Sequence, residues 1–592
     1  MGGKIAERGK MDKKAIAVIL EEMGTLLELK GANPFKSRAF HNASRAVDQI
    51  TGDLGELIGT GDLTEVKGIG KSIGAIITEL VTSGESKEYT ELRKSFPDGL
   101  FQMLKIEGLG PKKIKILFET LGIKDIDALE SAAKADALSA VSGFGKKTQE
   151  NILKGIAAVR SRGGRKLLPA ALQIAQEILF ALRNDAGVKA GEIAGSIRRR
   201  RETVGDIDIV LSAADEARPR LMDTFLALPQ IETAIARGET KSSAMLKAGI
   251  QCDLRIVSGE EYPFALNYFT GSKEHNVELR GRARKQGLSL NEYGFSKLDS
   301  GETRGKAKRV VRCRDEEDLY AALGLAFIPP ELRENTGEIE CAENSTLPAL
   351  VEEKDIRGTF HCHTTYSDGL GTLEQMAQAA AGLGWEYLGI ADHSKAAAYA
   401  RGLTRADVKR QFREIDALNA RLRTRLLKGT ECDILPNGDL DWPDEFLKEF
   451  DYVVASVHSN FKMPEEAMTR RIIKALTNKH VTMLGHPTGR LLLAREPYAV
   501  DMIKVIDTAA EHGKIIEINS YPNRLDLDWR LCKYAKERGV MSTINPDAHR
   551  EDELRHVYLG VSVARKGWLE KKDILNTRSL AGVLKYLGKG ID

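Results

Sequence analysis

The stretch GSIRRRRETVGDIDIVLS, Gly195 to Ser212, decides how the middle of the chain folds. Near its end, Asp206 and Asp208 alternate with isoleucine at the two-residue period of a β-strand, so both carboxylates lie on one face. Neighbouring carboxylates repel each other unless a cation lies between them, and hard oxygen ligands suit Mg²⁺. The Gly-Ser turn, Gly205 and the arginine run offer a hydroxyl, backbone groups and charged forks to phosphate oxygens. The stretch therefore predicts phosphoryl or nucleotidyl transfer.

Two later segments complete the predicted site. The segment AGIQCDLRIVSG, Ala248–Gly259, is a second predicted strand. Its Asp253 supplies the third carboxylate that a two-metal transfer site needs, and the alternative is a surface charge on an edge strand. Further on, Tyr268 and Phe269 precede another Gly-Ser pair, where aromatic faces can stack on a base or sugar. A pair of core aromatic residues is the alternative interpretation there.

The length and composition of the chain narrow its class. At 592 residues the chain is too long for one hydrophobic core, so several domains are expected. The net charge is only +3, but residues 101–200 hold 18 Lys and Arg against 10 Asp and Glu, a basic patch suited to a polyanion. Six cysteines without a CxxC pair fit a reducing compartment. Because neither a signal peptide nor a membrane span is recognisable, the sequence predicts a cytoplasmic protein with no membrane partner.

Three similar units precede the predicted transfer site: VKGIGKSIGAII (Val66–Ile77), IEGLGPKKIKILFE (Ile106–Glu119) and VSGFGKKTQENIL (Val141–Leu153). Each contains Gly-apolar-Gly and leads into a helix, so backbone N–H groups at the helix N-terminus can face a phosphate. One copy could be an ordinary turn. Three copies, two of them with paired lysines, predict DNA-backbone binding of the helix-hairpin-helix type. The predicted binding residues are Gly68, Gly70, Lys71, Gly108, Gly110, Lys112, Gly143, Gly145 and Lys146.

The second half of the chain is rich in histidine, with nine of the eleven histidines between His361 and His556. Short apolar strands alternate there with helical stretches, which predicts an α/β barrel or layered sheet with active residues at the strand ends. His361-Cys-His363 places two imidazoles on one strand face, ready to chelate an ion. The ligands are too many for one ion, so two or three Mn²⁺ or Zn²⁺ are expected. The candidate ligands are His361, His363, Asp368, His393, Glu431, His458, His486, Asp547 and His549.

Residues 12–340 resemble a family X DNA polymerase, the group that includes DNA polymerase beta. The resemblance rests on GSIRR and GDIDIV, on the later strand aspartate, on YFTGS and LNEYGF, and on the three hairpin units. It implies a metal-dependent polymerase that fills short gaps and takes dNTPs. By this resemblance Asp206, Asp208 and Asp253 bind Mg²⁺ or Mn²⁺, Ser196, Arg199 and Gly205 bind the triphosphate, Tyr268, Phe269, Gly271 and Asn276 line its sugar and base, and Arg280 touches the template.

Residues 355–592 resemble the PHP (polymerase and histidinol phosphatase) domain through HCHTTYSDG, ADHS, GTECDI, SVHSN, GHP and NPDAH. The resemblance implies a barrel of seven strands and phosphoester hydrolysis: a 3′–5′ exonuclease, with apurinic-site endonuclease and 3′-phosphatase as further activities to consider. It implies one metal bound by His361, His363, Glu431 and Asp547, a second by Glu431, His458 and His486, and a third by Asp368, His393 and His549. Every ligand position of the family is filled, which favours a live site.

Together these observations predict a multidomain α+β and α/β protein. The expected regions are a helical DNA-binding domain with the first hairpin (1–95), a helix-hairpin-helix domain (96–160), a nucleotidyltransferase palm with a mixed sheet (161–260), a thumb that selects the nucleotide (261–345) and a distorted (β/α)7 PHP barrel (346–592). The expected function is base-excision or gap-filling repair by a monomer that binds gapped or primer-template DNA.

One departure and two rival functions remain open. Family members with 5′-deoxyribose-phosphate lyase activity carry a Schiff-base lysine where this chain has Ile76, and Lys71 is out of register, so lyase chemistry by that route is not expected. The first rival is a nucleotidyltransferase that acts on RNA or a small molecule, against which the hairpins and YFTGS argue. The second is a DNA-binding scaffold with an inactive PHP domain, against which the intact carboxylates and histidines argue.

Overall fold

A computed structural model of the chain describes residues 13–50, 54–66, 68–104, 106, 108–141, 143–162, 164–298 and 310–589. The chain divides into two compact units, Met1–Gly163 and Gly164–Asp592. No helix within the described ranges is long and apolar enough to cross a membrane.

The first unit is helical. Its helices are α1 (Lys13–Lys30), α2 (Pro34–Gln49), α3 (Leu54–Thr60), α4 (Lys71–Ser83), α5 (Lys87–Lys94), α6 (Asp98–Met103), α7 (Pro111–Leu121), α8 (Ile126–Lys134) and α9 (Lys146–Arg162). Helix α1 ends at Gly31, whose φ of +73° suits a residue without a Cβ. Two apolar cores form around Leu20 and Ile77 and around Ile114 and Leu129. The helical N-terminal region predicted from the sequence is confirmed.

The second unit begins with a five-stranded sheet, a separate antiparallel pair of two-residue strands (Lys166–Leu167 with Thr203–Val204) and three helices. Its elements are β1 (Lys166–Leu167), α10 (Leu168–Arg183), β2 (Val188–Ile193), α11 (Gly195–Arg198), β3 (Thr203–Val204), β4 (Asp206–Ala213), α12 (Arg218–Leu226), β5 (Ile231–Arg237), β6 (Lys241–Leu246) and β7 (Gln251–Val257). The sheet order is β2-β4-β7-β6-β5. Strands β4 and β7 are parallel, and the other pairs are antiparallel. The predicted mixed sheet is therefore confirmed, with the GDIDIV strand beside the strand of Asp253.

A small helical region follows this sheet. Its elements are α13 (Tyr262–Thr270), α14 (Lys273–Lys285), β8 (Leu288–Asn291), β9 (Gly294–Lys297), α15 (Glu316–Ala322) and α16 (Glu338–Glu343). Phe264, Leu279, Phe295 and Tyr320 form its buried core. The fully buried His275 bonds through its two ring nitrogens to Glu338 at 2.7 Å and to Tyr320 at 2.8 Å, so this histidine ties three helices together.

The rest of the second unit is a barrel. Its elements are β10 (Gly358–Thr359), α17 (Leu373–Gly382), β11 (Tyr387–Ile390), α18 (Arg405–Asn419), β12 (Arg425–Asp433), α19 (Asp444–Leu447), β13 (Tyr452–Ser456), α20 (Glu465–Leu476), β14 (Met483–Leu484), α21 (Met502–Glu511), β15 (Ile515–Asn519), α22 (Trp529–Glu537), β16 (Ser542–Asn545), α23 (Val557–Lys566) and α24 (Leu580–Tyr586). The seven strands are parallel and follow chain order. A parallel bridge between Cys362 and Ala548 brings the two edges together. The predicted seven-stranded barrel is confirmed.

Candidate active sites

The first candidate site lies at the start of strands β4 and β7. Asp208 stands opposite Asp253 in the parallel register, and Asp206 stands opposite Gln251. Burial, followed by the charges of Asp206 and Asp253, raises the pKa of Asp208 to about 7. Three carboxylates at this spacing are costly to ionise together unless a cation is shared among them. Their oxygen atoms are the ligands that Mg²⁺ or Mn²⁺ prefers, so the three residues fit the expected metal.

Two neighbours of Asp253 were missed by sequence reasoning. Lys241 on β6 places its Nζ 2.6 Å from one carboxylate oxygen of Asp253, and the Gln251 amide donates to the other oxygen at 2.8 Å. These contacts hold the pKa of Asp253 below its usual range in spite of its partial burial. The antiparallel pairing of β6 with β7 creates the lysine contact. The turn between these strands passes through Gly249, which has a φ of +70°. A glycine just before the predicted Asp253 strand was the sequence signal that could have indicated a hairpin here.

The Gly-Ser turn at the start of α11 faces the carboxylates. A Cβ on Gly195, at φ +59°, would lie 2.3 Å from a carboxylate oxygen of Asp208, so only glycine allows this approach. The hydroxyl oxygen of Ser196 is buried and finds no hydrogen-bond partner among the described residues. A buried polar atom without a partner is destabilising, and here it lies beside a predicted phosphate site. Gly205 is exposed next to Arg165, at the entrance to β4.

Arg199 lies between the predicted phosphate and sugar sites. Its Nε bonds to Glu334 Oε1 at 3.1 Å, and its Nη1 donates to the carbonyl oxygen of Thr270. A Cβ placed on Gly271 would lie 3.0 Å from the same Nη1, so the lack of a side chain at Gly271 leaves room for the guanidinium. The structure therefore brings together Arg199 and Gly271, which were predicted to bind different parts of one nucleotide.

The predicted sugar and base residues form a connected group. The rings of Tyr268 and Phe269 meet edge to face with centroids 5.1 Å apart, and both are partly exposed. The guanidinium carbon of Arg255 lies 3.8 Å from the centroid of Phe269. Asn276 donates from its amide to the Tyr268 carbonyl at 2.8 Å, and Arg280 donates to the Asn276 carbonyl at 3.2 Å. Aromatic rings that are partly exposed and lie beside polar groups are better suited to binding a nucleotide than to packing in a hydrophobic core.

The three hairpin units share one geometry. Gly68, Gly108 and Gly143 have φ of +103°, +79° and +89°. The next residue of each unit, Ile69, Leu109 or Phe144, is buried, and its N–H bonds three residues back at 3.0 Å. Helices α4, α7 and α9 each begin two residues after this buried residue, and each has an exposed lysine in its first turn beside the glycines. All nine predicted binding residues of the hairpins are exposed: Gly68, Gly70, Lys71, Gly108, Gly110, Lys112, Gly143, Gly145 and Lys146.

The second candidate site lies at the carboxyl ends of the barrel strands. His361 and His363 follow β10, Asp368 lies in the next loop, and His393 follows β11. The remaining predicted ligands, in strand order, are Glu431 on β12, His458 after β13, His486 after β14, and Asp547 and His549 after β16. All nine lie in one connected cluster, in which Glu431 is within 3.6 Å of His361, His363, His393, His458 and His486.

Three groups of these side chains have atoms close enough to share an ion. The groups are His363 with Asp368, His393 and His549; His361 with His363 and Asp547; and His393 with Glu431 and His458. Compared with the sequence expectation, His363 also joins the Asp368 group, and His393 joins the Glu431 group. His486 contacts Glu431 at 2.9 Å.

The chemistry of these donors fits metal binding. The Nε2 of His361 and the Nδ1 atoms of His363 and His393 are buried and make no well-aligned hydrogen bond within the described part of the chain, although each lies 2.9–3.8 Å from a carboxylate oxygen. Outer carboxylates hold the opposite nitrogens of two ligands: Glu517 bonds to His361 Nδ1 at 2.7 Å, and Asp433 bonds to His458 Nδ1 at 2.6 Å. Such partners fix which nitrogen faces an ion.

Sequence reasoning missed Glu517 and Asp433. Asp433 could have been found from the sequence, because it follows Glu431 by two residues and so lies on the same strand face.

Two further side chains, those of Arg524 and Tyr399, lie next to the cluster. The Nε of Arg524 lies 3.7 Å from Asp547 Oδ2, and its Nη1 is buried with no hydrogen bond to any described residue. The ring of the exposed Tyr399 lies 6.1 Å from that of His393 and 6.2 Å from that of His458, at the mouth of the site.

The three carboxylates on a mixed sheet and the histidine cluster in a parallel barrel define the class: a nucleotidyltransferase core joined to a PHP-type phosphoesterase barrel. Family models match as DNA polymerase beta thumb over 265–334, helix-hairpin-helix domain over 11–86, SAM-like helix-hairpin-helix tandem over 101–158 and PHP domain over 359–521. The DNA polymerase/3′-5′ exonuclease PolX of Bacillus subtilis is 40% identical over 580 residues, 98% of this chain and 99% of that protein. The chain belongs to the PolX family, the bacterial family X polymerases with a C-terminal PHP domain.

Two partial likenesses add detail. A probable phosphatase of Acetivibrio thermocellus is 31% identical over 198 residues, 32% of this chain and 78% of that protein. A crystal structure of Leishmania infantum polymerase beta, a ternary P/T complex, is 24% identical and covers 40% of this chain and 100% of its own, with a TM-score of 0.28. The similarity to the phosphatase is restricted to a part of the chain, whereas the similarity to PolX extends over nearly all of it.

Proposed function

We propose that the chain is a template-directed DNA polymerase that fills short gaps in repair, and that its barrel is a 3′–5′ exonuclease. The observation that carries the polymerase assignment is the pairing of Asp208 with Asp253 beside the buried, unpaired hydroxyl of Ser196. The substrates are gapped or primer-template DNA and dNTPs. The carboxylates of Asp208 and Asp253 can bind a metal ion, and the hydroxyl of Ser196 can donate a hydrogen bond to a phosphate oxygen.

In the polymerase site each residue has its own task. Asp206, Asp208 and Asp253 would hold Mg²⁺ or Mn²⁺, which would supply charge stabilisation for the transferred nucleotidyl group and the pyrophosphate that leaves. Ser196 donates its free O–H to a phosphate oxygen, and the backbone at Gly205 approaches the same group. Arg199 supplies positive charge next to Gly271. Tyr268 and Phe269 offer their faces to the sugar and base, held in place through Asn276.

The same connected group extends toward the template. Arg280 bonds to the carbonyl of Asn276, so its guanidinium stays beside the nucleotide-lining residues. At the three hairpins, the N-termini of α4, α7 and α9 and the exposed lysines Lys71, Lys112 and Lys146 bind the DNA backbone. Ile76, at the position of the family's lyase lysine, is buried in an apolar core, which supports the absence of lyase chemistry by that residue.

In the barrel, the nine candidate ligands would hold two or three Mn²⁺ or Zn²⁺, which would supply Lewis acidity for phosphoester hydrolysis. Glu517 and Asp433 keep the coordinating nitrogens of His361 and His458 turned inward. Arg524, whose Nε lies 3.7 Å from Asp547 Oδ2, offers its unpaired Nη1 group and its positive charge to the scissile phosphate.

We assign the five regions with the boundaries expected from the sequence, and propose that the protein acts as a monomer in the cytoplasm. All six cysteines are free, which supports a reducing compartment.

The experiment that tests this proposal separates the two activities. Asp208→Ala abolishes primer extension on gapped DNA and leaves 3′–5′ hydrolysis, because the barrel ligands are untouched. His363→Ala does the reverse and lowers the bound Mn²⁺ or Zn²⁺ per chain. Loss of both activities in Asp208→Ala, with folding and DNA binding intact, contradicts the two-site proposal. A wild-type protein that extends RNA but not DNA primers favours the rival transferase.

A further inference from the structure

Lys566, the last residue of helix α23, is a charged residue in the interior of the second unit. Its side chain is 1% exposed. Its Nζ lies 2.5 Å from Glu334 Oε1 and donates to the carbonyl oxygens of Arg199 at 3.0 Å and Glu331 at 3.3 Å. A buried ammonium is stable only with partners of this kind. Lysine and partners come from different regions, because α23 packs on the barrel and Arg199 and Glu334 belong to the polymerase part.

Glu334 is the residue through which Lys566 reaches the nucleotide site. Its Oε1 bonds to Arg199 Nε at 3.1 Å, and its Oε2 lies 3.5 Å from Arg201 Nη1. The carboxylate is therefore shared by three cations. The positive charge of Lys566 neutralises part of the negative charge of Glu334. Arg199 therefore keeps more of its own positive charge available to another anion.

We propose that Lys566 is a positioning residue for the incoming nucleotide: by sharing Glu334 and binding the Arg199 carbonyl, it sets the place and the effective charge of the Arg199 guanidinium. The proposal rests on the proposed role of Arg199 in triphosphate binding. The barrel thus supports DNA synthesis through a buried contact that is independent of its own hydrolytic site.

Loss of the lysine has a predictable direction. Without Lys566, Glu334 is balanced by Arg199 and Arg201 alone, so Arg199 is held more tightly to the carboxylate and offers less charge to a triphosphate. The backbone carbonyl of Arg199 also loses the hydrogen bond that it accepts from the Lys566 ammonium. The affinity for the dNTP falls, whereas the carboxylates that carry the chemistry are unchanged.

The test measures single-nucleotide incorporation on primer-template DNA under single-turnover conditions with varied dNTP. Lys566→Met raises the Kd for the dNTP about tenfold and changes the maximal rate by less than about twofold, as expected for loss of one charge-assisted contact. Lys566→Gln, which loses the charge but keeps a donor for the carbonyl, also raises this Kd and serves if the methionine variant does not fold. Exonuclease activity, unchanged in both variants, reports that the barrel is intact.

Lys536→Met is the matched control, because Lys536 also lies in the barrel and pairs with Glu570 at 2.8 Å, and none of its polar partners among the described residues belongs to the polymerase part. It leaves the Kd for the dNTP unchanged. If Arg199→Ala raises that Kd and the Lys566 variants do not, or if the Lys566 variants lower only the maximal rate, the positioning role is wrong. If Arg199→Ala itself has the Kd of the wild type, the proposed role of Arg199 fails instead.

Discussion

Asp208 and Asp253 lie directly opposite each other on the parallel strands β4 and β7, and this pairing brings together two carboxylates of the proposed polymerase site. Asp206, two residues before Asp208 on the same strand, completes the set. The carboxylates are close enough that burial and mutual repulsion raise the pKa of Asp208 to about 7. The site is thus destabilised without a cation, a strain that binding of a metal relieves.

The first prediction concerns the stability of the metal-free protein. The pKa of Asp208 is about 7 in the folded chain and about 4 in the unfolded chain, so its proton stabilises the fold below pH about 4. That stability is lost as pH rises through about 7, by up to about 1.4 kcal/mol per pH unit. Asp208→Asn abolishes this loss. Urea unfolding in EDTA therefore shows the variant more stable than the wild type at pH 8 and closest to it below pH 4.

Two controls accompany that measurement. Asp185→Asn, in the same unit but in an exposed ion pair with Arg220, does not produce the gain at pH 8. Mg²⁺ stabilises the wild type more than Asp208→Asn, because it binds the folded carboxylates. Parallel pH profiles of Asp208→Asn and the wild type would contradict the raised pKa.

The second prediction concerns Ser196. Its buried hydroxyl has no hydrogen-bond partner in the part of the chain that is described, so Ser196→Ala removes an unsatisfied group. The free energy of unfolding stays within about 0.5 kcal/mol or rises, while the KM for the dNTP rises about tenfold through loss of a phosphate donor. Denaturant unfolding and primer extension measure the two effects. Ser212→Ala, at the other end of β4, leaves the KM unchanged, and a loss of stability without a change in KM would assign Ser196 a structural role.

The clustering of the nine candidate barrel ligands could be predicted from the sequence because their positions depend on local rules. The carboxyl ends of parallel strands meet at one edge, so a histidine or acid after each strand must lie in one cluster. The alternation of a strand likewise put Asp206 beside Asp208. No knowledge of which strands pair was needed for either inference.

Contacts that depend on pairing between distant segments were not predictable in this way. Lys241 reaches Asp253 only because β6 pairs with β7, and Glu334 meets Arg199 only through the folded chain between them. Glu517 reaches His361 across the barrel interior, although its own strand carries no other ligand. Their sequence contexts resemble ordinary surface or core positions, and only the register and packing give them a role.

The third prediction concerns Glu517, whose Oε1 bonds to His361 Nδ1 at 2.7 Å and whose Oε2 accepts from the His486 N–H at 2.6 Å. Glu517→Gln removes the charge that orients His361, so the affinity of the barrel for Mn²⁺ falls by about 10- to 100-fold. Metal analysis after dialysis against a series of free Mn²⁺ concentrations measures the change. Exonuclease activity falls at low Mn²⁺ and recovers in excess Mn²⁺, and primer extension is unchanged.

The comparison variant for Glu517 is Glu511→Gln at the exposed end of α21, which leaves metal content and hydrolysis as in the wild type. Metal affinity of Glu517→Gln equal to that of the wild type would show that His361 needs no outer carboxylate.

The last prediction concerns the hairpins. Lys112 and Lys146 are exposed at the starts of α7 and α9, beside the glycine turns of their hairpins, so we expect both to contact phosphates rather than bases. Replacing both lysines by alanine makes the negative slope of log K against log salt less steep by about 1.8, that is, by about 0.9 for each lost contact. It weakens binding equally for DNAs of different sequence. Fluorescence anisotropy with gapped duplexes over a salt series measures this. Lys134→Ala, an exposed lysine on α8 paired with Glu130 at 2.7 Å, keeps the wild-type slope. A loss of affinity that depends on base sequence would mean that the hairpins read bases, contrary to the backbone contacts inferred from their geometry.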